Sequence, residues 1–119
     1  MKNKTIYLVE DDRDISELMT IVLESESYGI KPFFASDKFT KTLEKQKPDL
    51  IIMDLSIGGT DGTSLVRKIK KDKENSKIPI ILISAKNSLS EIAKGTKVSG
   101  FLPKPFDIKD LVKIVKKFL

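Results

Sequence analysis

Polar residues that could act as nucleophiles, metal ligands or charge partners follow the apolar runs of this chain, and Asp54 is the clearest example. It directly follows four apolar residues, Leu50 to Met53. An apolar run without polar alternation is typical of a strand that is covered on both faces, as in the middle of a parallel sheet. Ligands of open α/β sheets bind beyond the carboxyl ends of the strands, which would place Asp54 where chemistry takes place. Because Asp also begins turns and caps helices, Asp54 alone leaves the structural and the functional interpretation open.

The same arrangement recurs along the chain, with Glu10 and Asp11, Ser84 and Lys104 each following a further apolar run. Because parallel strands point the same way, all these side chains would meet at one edge of the sheet. Three carboxylates that lie close together need a counter-charge, which a hard divalent cation and the lysine would supply. Such a site would also receive a phosphoryl group, with the hydroxyl donating a hydrogen bond and one carboxylate attacking as nucleophile.

Composition narrows the chemistry further. The chain has 119 residues with neither cysteine nor histidine, so disulfides and thiolate metal sites are excluded and the commonest transition-metal ligand is missing. Any metal site must therefore be rich in oxygen, which favours Mg²⁺, Mn²⁺ or Ca²⁺. The length predicts one domain over residues 1–119, with no output domain.

The charge pattern bears on partners and location. The formal net charge is +5, but the lysines are spread along the chain and only two arginines are present. We therefore expect no direct nucleic-acid surface. The first apolar run, Ile6 to Val9, is too short for a signal-peptide core or a membrane span, so we expect a cytoplasmic protein without membrane contact.

Strand-like runs alternate with segments of helical period from end to end. Five strands are predicted, at Thr5–Val9, about Ile30–Ala35, Leu50–Asp54, Ile80–Ser84 and Gly100–Leu102. A helical segment follows each strand; Asp12 or Asp14 is predicted to cap the first helix, and Ser36 or Asp37 the second. Strict alternation predicts an α/β fold: a five-stranded parallel sheet, doubly wound as in flavodoxin, with helices on both faces.

Four motifs together carry a resemblance to a known family. They are Leu-Val-Glu-Asp-Asp at 8–12, Ile-Ile-Met-Asp at 51–54 with Gly62 eight residues on, Ile-Ser-Ala at 83–85, and Phe-Leu-Pro-Lys-Pro-Phe at 101–106. With them the chain resembles a response-regulator receiver domain of two-component signalling systems over essentially its whole length.

The resemblance implies a role for each matching residue. Asp54 matches the phosphoacceptor, and Glu10 and Asp11 match the acidic pair that holds Mg²⁺, with Mn²⁺ possible. Asp54 and the backbone carbonyl of Ser56 would complete the protein ligands of the metal, and Lys104 matches the lysine that contacts the phosphoryl group.

The resemblance also implies a conformational switch. Ser84 matches the switch hydroxyl, and Phe101 matches an aromatic residue whose ring moves inward when Ser84 shifts toward the phosphoryl group. Without the resemblance, the apolar pattern around Phe101 favours a core residue. The Lys104-Pro105 bond resembles a cis peptide of the family.

Two departures from the family pattern stand out. Gly58 occupies a position where the family usually has proline, and the segment from Ser84 to Lys104 is short. The short segment puts the fourth helix, and a partner surface built on it, in doubt.

The function implied is a phosphoacceptor signalling switch. A histidine kinase or histidine phosphotransfer protein would donate to Asp54, and the face of the fourth helix, fifth strand and fifth helix would report the state to an effector. We expect self-phosphotransfer and slow autodephosphorylation, not a turnover enzyme.

Three alternatives remain open on the sequence. They are a non-phosphorylated docking module, a flavodoxin-like cofactor binder and a phosphohydrolase with an Asp nucleophile. The flavodoxin-like interpretation lacks a phosphate loop after the first strand. The hydrolase would usually have an Asp where this chain has Ser56.

Overall fold

A computed structural model describes residues 3–59 and 61–119. In these ranges five parallel strands form one sheet in the order β2-β1-β3-β4-β5. The strands are β1 Thr5–Val9, β2 Gly29–Phe33, β3 Leu50–Asp54, β4 Ile80–Ser84 and β5 Gly100–Pro103. The helices are α1 Arg13–Ser25, α2 Ser36–Lys45, α3 Gly62–Lys71, α4 Leu89–Thr96 and α5 Ile108–Phe118, with a short 3₁₀ helix at Ile57–Gly59.

The sheet lies between two helical layers, which confirms the predicted doubly wound architecture. Alternate residues of β1 point to opposite faces: Ile6 belongs to the apolar cluster that includes α1 and α5, whereas Tyr7 belongs to the cluster that includes α2, α3 and α4. Every residue of β3 and β4 is buried, as their apolar runs predicted. The central strand β3 therefore delivers Asp54 from a rigid, fully covered position.

Two predicted details at the edge strand β2 are wrong. The strand ends at Phe33 and does not reach Ala35. Ala35 is the N-cap of α2 in an extended conformation, so Ser36 and Asp37 already lie in the first helical turn and neither caps it. The chain enters this helix one residue earlier than the polar residues suggested. By contrast, the Asp12 side chain caps α1 by accepting hydrogen bonds from two backbone N–H groups.

The fourth helix is present in spite of the short segment that precedes Lys104. It spans Leu89–Thr96, and its buried residues Leu89 and Ala93 belong to the apolar cluster on the α2–α4 face of the sheet. The strand after it, β5, extends one residue beyond the prediction, to Pro103. In the ranges that the structure describes, no helix combines the length and the apolar character needed to cross a membrane.

Candidate functional site at the carboxyl edge of the sheet

The sheet brings the predicted site residues to a common edge. Glu10 directly follows β1, Asp54 ends β3, Ser84 ends β4 and Lys104 directly follows β5. Backbone hydrogen bonds continue the pairing past the strand ends: the Glu10 N–H donates to the carbonyl of Phe33, and the Lys104 N–H to that of Ser84. The backbone of the site is therefore held by the sheet itself.

Lys104 bridges two of the three acids. Its Nζ atom lies 2.7 Å from Oε1 of Glu10 and 3.1 Å from Oδ2 of Asp54. Burial alone would lower the pKa of Lys104, but the two carboxylates outweigh that effect and raise it above 10.5. Lys104 is therefore part of the acidic site.

The electrostatics around Glu10 are unusual for a carboxylic acid. Its side chain is fully buried, and burial together with the neighbouring Asp54 carboxylate raises its pKa from 4.5 to about 7. The hydrogen bonds from Lys104 and from the N–H of Asp12 act in the opposite direction without cancelling the shift. The ionised form of Glu10 is therefore disfavoured by burial even with the Lys104 ammonium group beside it.

The three acids offer a donor set for a metal ion. One carboxylate oxygen each from Glu10, Asp11 and Asp54 lies within 4.8 Å of the others. Glu10 and Asp54 are buried, whereas Asp11 is exposed. An all-oxygen set with surplus negative charge suits a hard divalent cation such as Mg²⁺. The residues present therefore fit the metal that the motifs imply.

The second carboxylate oxygen of Asp54 is held by the backbone. Its Oδ1 atom accepts a hydrogen bond of 3.0 Å from the N–H of Ser56. This contact places Ser56 directly beside the acid, while the role of its carbonyl as a metal ligand stays a prediction. The carboxylate of Asp54 is thus fixed at both oxygens, by Ser56 and by Lys104.

The two residues predicted to switch lie on neighbouring strands. The hydroxyl oxygen of Ser84 is buried and accepts a hydrogen bond of 3.0 Å from the N–H of Lys86, which leaves the hydroxyl proton for another acceptor. The Phe101 side chain is 38% exposed. The interpretation of Phe101 as a core residue is therefore wrong. Successive residues of a strand point to opposite faces, and the next residue, Leu102, is the one that joins the buried α1–α5 cluster.

Sequence reasoning missed one contact of this site. The Gly58 N–H donates a hydrogen bond of 2.8 Å to Oδ2 of Asp11, although the two residues are 47 positions apart. Gly58 has a φ of 56°, in the left-handed region that glycine adopts without strain and proline cannot reach. The departure from the family's proline was visible, but nothing local in the sequence pointed to Asp11 as the acceptor.

This fold and this site define the class of protein: a doubly wound α/β domain with a lysine-bridged acidic site at the carboxyl edge of its sheet. A family model described as "Response regulator receiver domain" matches residues 6–116. The chain belongs to this family, which makes it a receiver domain of the kind found in two-component signal transduction.

Curated relatives are similar over the whole chain but are longer than it. The phosphate regulon transcriptional regulatory protein PhoB of Pseudomonas aeruginosa is 32% identical over 100% of the chain and 53% of its own length. The transcriptional regulatory protein CssR of Bacillus subtilis is 35% identical over 97% of the chain and 51% of its own length. The chain thus spans about half the length of these relatives.

A solved structure supports the same assignment. The receiver domain of the sensor histidine kinase PA1611 from Pseudomonas aeruginosa is 27% identical to the chain and superimposes with a TM-score of 0.86. The match covers 98% of both chains. That protein was crystallised with a magnesium ion coordinated in its active-site cleft.

Proposed function

We propose that this chain is a phosphorylation switch in which Asp54 takes a phosphoryl group from a phosphohistidine of a partner histidine kinase or histidine phosphotransfer protein. The observation that carries the proposal is the position of the Asp54 carboxylate. It is 5% exposed, bonded to the Lys104 ammonium and surrounded by two further acids. A buried acid with its own cation beside it is arranged to accept a group that carries still more negative charge.

The transfer itself is a simple displacement. An oxygen of the Asp54 carboxylate attacks the phosphorus, the P–N bond of the phosphohistidine breaks, and an acyl phosphate forms while the histidine leaves. Lys104 already lies 3.1 Å from Oδ2 of Asp54, where it can neutralise the charge of the transferred group.

Magnesium, or manganese in its place, would be held by carboxylate oxygens of Glu10, Asp11 and Asp54 and by the carbonyl of Ser56. Bound there, it would supply the positive charge that the phosphoryl oxygens and the acids need in common. The magnesium ion in the related PA1611 receiver domain supports this assignment. The buried Glu10 must lose its proton for binding, so metal affinity should rise with pH.

The added group carries roughly −1.5 to −2 charges. Lys104 now divides its contacts between Glu10 and Asp54, and the new charge on Asp54 shifts that balance. The free hydroxyl proton of Ser84 can then find its acceptor in a phosphoryl oxygen. Because Lys104 N–H bonds to the carbonyl of Ser84, a shift of Ser84 is passed directly to the chain beyond β5.

The surface that would report this change lies at α4, β5 and α5. A cleft of about 370 Å³ there is lined on one side by Lys94 and Lys97 and on the other by Lys117 and Phe118, with Phe101 between them. The ring of Phe101 has room to move because it is part of the cleft wall. An inward movement would reshape the surface that a downstream effector contacts.

The decisive experiment is incubation with Mg²⁺ and acetyl phosphate, followed by intact mass spectrometry. We expect the mass of one phosphoryl group to be added to the wild type and none to the Asp54→Ala variant. Asp11→Asn keeps the acceptor and should be phosphorylated much more slowly, because it removes one metal-binding charge. An unmodified wild type would leave a docking module as the better interpretation. Equal modification of Asp54→Ala would place the acceptor elsewhere, and turnover of an added phosphoester would favour a hydrolase.

A further inference from the structure

A cleft between α2 and α3 lies outside the acidic site. Its volume is about 680 Å³, within the roughly 300–1,000 Å³ that small-molecule sites occupy. A smaller hollow of about 140 Å³ adjoins it, and three residues, Thr40, Leu65 and Lys68, line both. The two spaces are therefore parts of one groove, which we call the α2–α3 cleft.

One wall of the α2–α3 cleft is cationic. Ser64, Arg67, Lys68 and Lys71 line it at helical spacings of i, i+3, i+4 and i+7, which places them on one face of α3. Among the described residues, none of these three cations forms an ion pair within 4.0 Å. Exposed Asp61 is the acid that lines the same space, and its pKa is lowered mainly by its hydrogen bonds to Thr63 and only weakly by Arg67. Positive charge at this wall is therefore in excess.

The opposite wall of the α2–α3 cleft is polar, whereas its far end is largely apolar. Ser36 and Thr40 present hydroxyl-bearing side chains from α2, facing the cations of α3. The smaller hollow lies over the buried side chains of Phe39 and Leu43 and is bordered by Asn75. The Oδ1 atom of Asn75 is buried and has no hydrogen-bond partner among the described residues.

Charge fixes the direction in which a ligand would lie. Glu44 and Asp72 border the smaller hollow and would repel an anion there. The cations lie at the larger end, so an anionic group belongs beside Arg67 and Lys71. The organic part of the same molecule then extends past Leu65 toward the apolar end.

We propose that the α2–α3 cleft binds a small phosphate monoester of nucleotide size. Its phosphate contacts Arg67 and Lys71, and its organic part covers Leu65. An arginine at this wall suits the fork geometry of phosphate recognition. The site contains none of Glu10, Asp11, Asp54, Ser84 or Lys104. The cleft is therefore separate from the acidic site, and the proposal does not depend on the phosphorylation of Asp54.

The test is a titration of the ¹⁵N-labelled protein with AMP, followed by amide chemical shifts in the absence of divalent metal. We expect saturable shifts concentrated in α2 and in the segment from Asp61 to Asn75. The Arg67→Gln/Lys71→Gln variant should bind at least about tenfold more weakly, because it loses two charge-assisted contacts. Inorganic phosphate and adenosine, each lacking half of the recognised molecule, should both bind more weakly than AMP.

A matched control is available on α5. Lys109→Gln/Lys113→Gln removes two exposed cations at the same i, i+4 spacing, and neither of them lines the cleft. It should leave AMP affinity within about twofold of wild type. Equal weakening by both double variants, or shifts spread over all lysine-rich surfaces, would show that AMP senses only the net charge. Equal affinity for AMP and inorganic phosphate would refute the assignment of the apolar end.

Discussion

The stability of the metal-free protein should fall as the pH rises through neutrality, because of Glu10. Burial, reinforced by Asp54, raises the pKa of this carboxyl from 4.5 to about 7. Above about pH 4.5 the unfolded chain has released the proton, whereas the folded chain keeps it until about pH 7. The folded state therefore binds more protons in this window. Linkage then requires the free energy of unfolding to decrease as the pH increases across it.

The size of the effect follows from the same two values. The difference between 4.5 and about 7, at roughly 1.4 kcal/mol for each pKa unit, amounts to about 3.5 kcal/mol over the whole interval between the two values. Glu10 is 0% exposed, so solvent screens its charge only weakly. Lys104 adds no slope in the window, since its raised pKa keeps it charged on both sides.

Urea unfolding with a chelator present, at about pH 5 and about pH 8, measures this change in the free energy of unfolding. The Glu10→Gln variant cannot ionise, yet it keeps the shape and an acceptor oxygen for Lys104. We expect the wild type to lose about 2–3 kcal/mol relative to Glu10→Gln between the two pH values. Glu17→Gln, an exposed position on α1, should instead follow the wild type. Wild-type and Glu10→Gln stabilities that stay parallel within about 0.5 kcal/mol would refute the burial argument.

Three further predictions concern neighbouring positions. Gly62→Ala should destabilise the folded protein by about 1–3 kcal/mol, because the new Cβ would lie 2.9 Å from the backbone oxygen of Leu55. A Cβ at Gly95 on α4 would meet open space, so Gly95→Ala should be neutral or stabilising. Thermal or urea unfolding of the two variants measures the difference. Lys104→Met should lower the free energy of unfolding by about 2 kcal/mol at neutral pH and by less in acid, where Glu10 is protonated. Urea unfolding at the two pH values measures this, and equal losses at both would contradict the prediction. Lys86→Ala should change the lifetime of phosphorylated Asp54, measured by intact mass over time, because the hydrogen bond of its N–H to the Ser84 hydroxyl holds Lys86 beside the site and the substitution removes its charged side chain. An unchanged lifetime would remove this role.

The architecture could be predicted because each buried strand has a recognisable local sequence pattern. The runs before Glu10, Asp54 and Ser84 are apolar without alternation, and the structure gives β1, β3 and β4 the predicted bounds. The edge strand β2 gave a weaker signal, because only Phe33 of its residues is buried and Pro32 has no backbone N–H to donate. Its end and the start of α2 were therefore misplaced.

The site was predictable to the extent that strand ends determine position. That five residues meet at one edge follows from parallel strands, whereas the contacts between them depend on side-chain placement over long sequence distances. The Gly58–Asp11 hydrogen bond and the exposed ring of Phe101 are examples of such contacts. The roles of the site residues, and the expectation of one domain over residues 1–119 with no output domain, stay predictions.

The charge balance of the site explains why metal binding and phosphorylation should reinforce each other. Lys104 now contacts two buried carboxylates, and burial keeps the pKa of Glu10 raised in spite of that ammonium group. A phosphoryl group on Asp54 would draw Lys104 away from Glu10, and the negative charge of Glu10 would then lack its cationic partner. A divalent ion meets that need, so each event lowers the cost of the other. Phosphorylated protein should therefore bind Mg²⁺ more tightly than unmodified protein, and Glu10→Gln should reduce that difference.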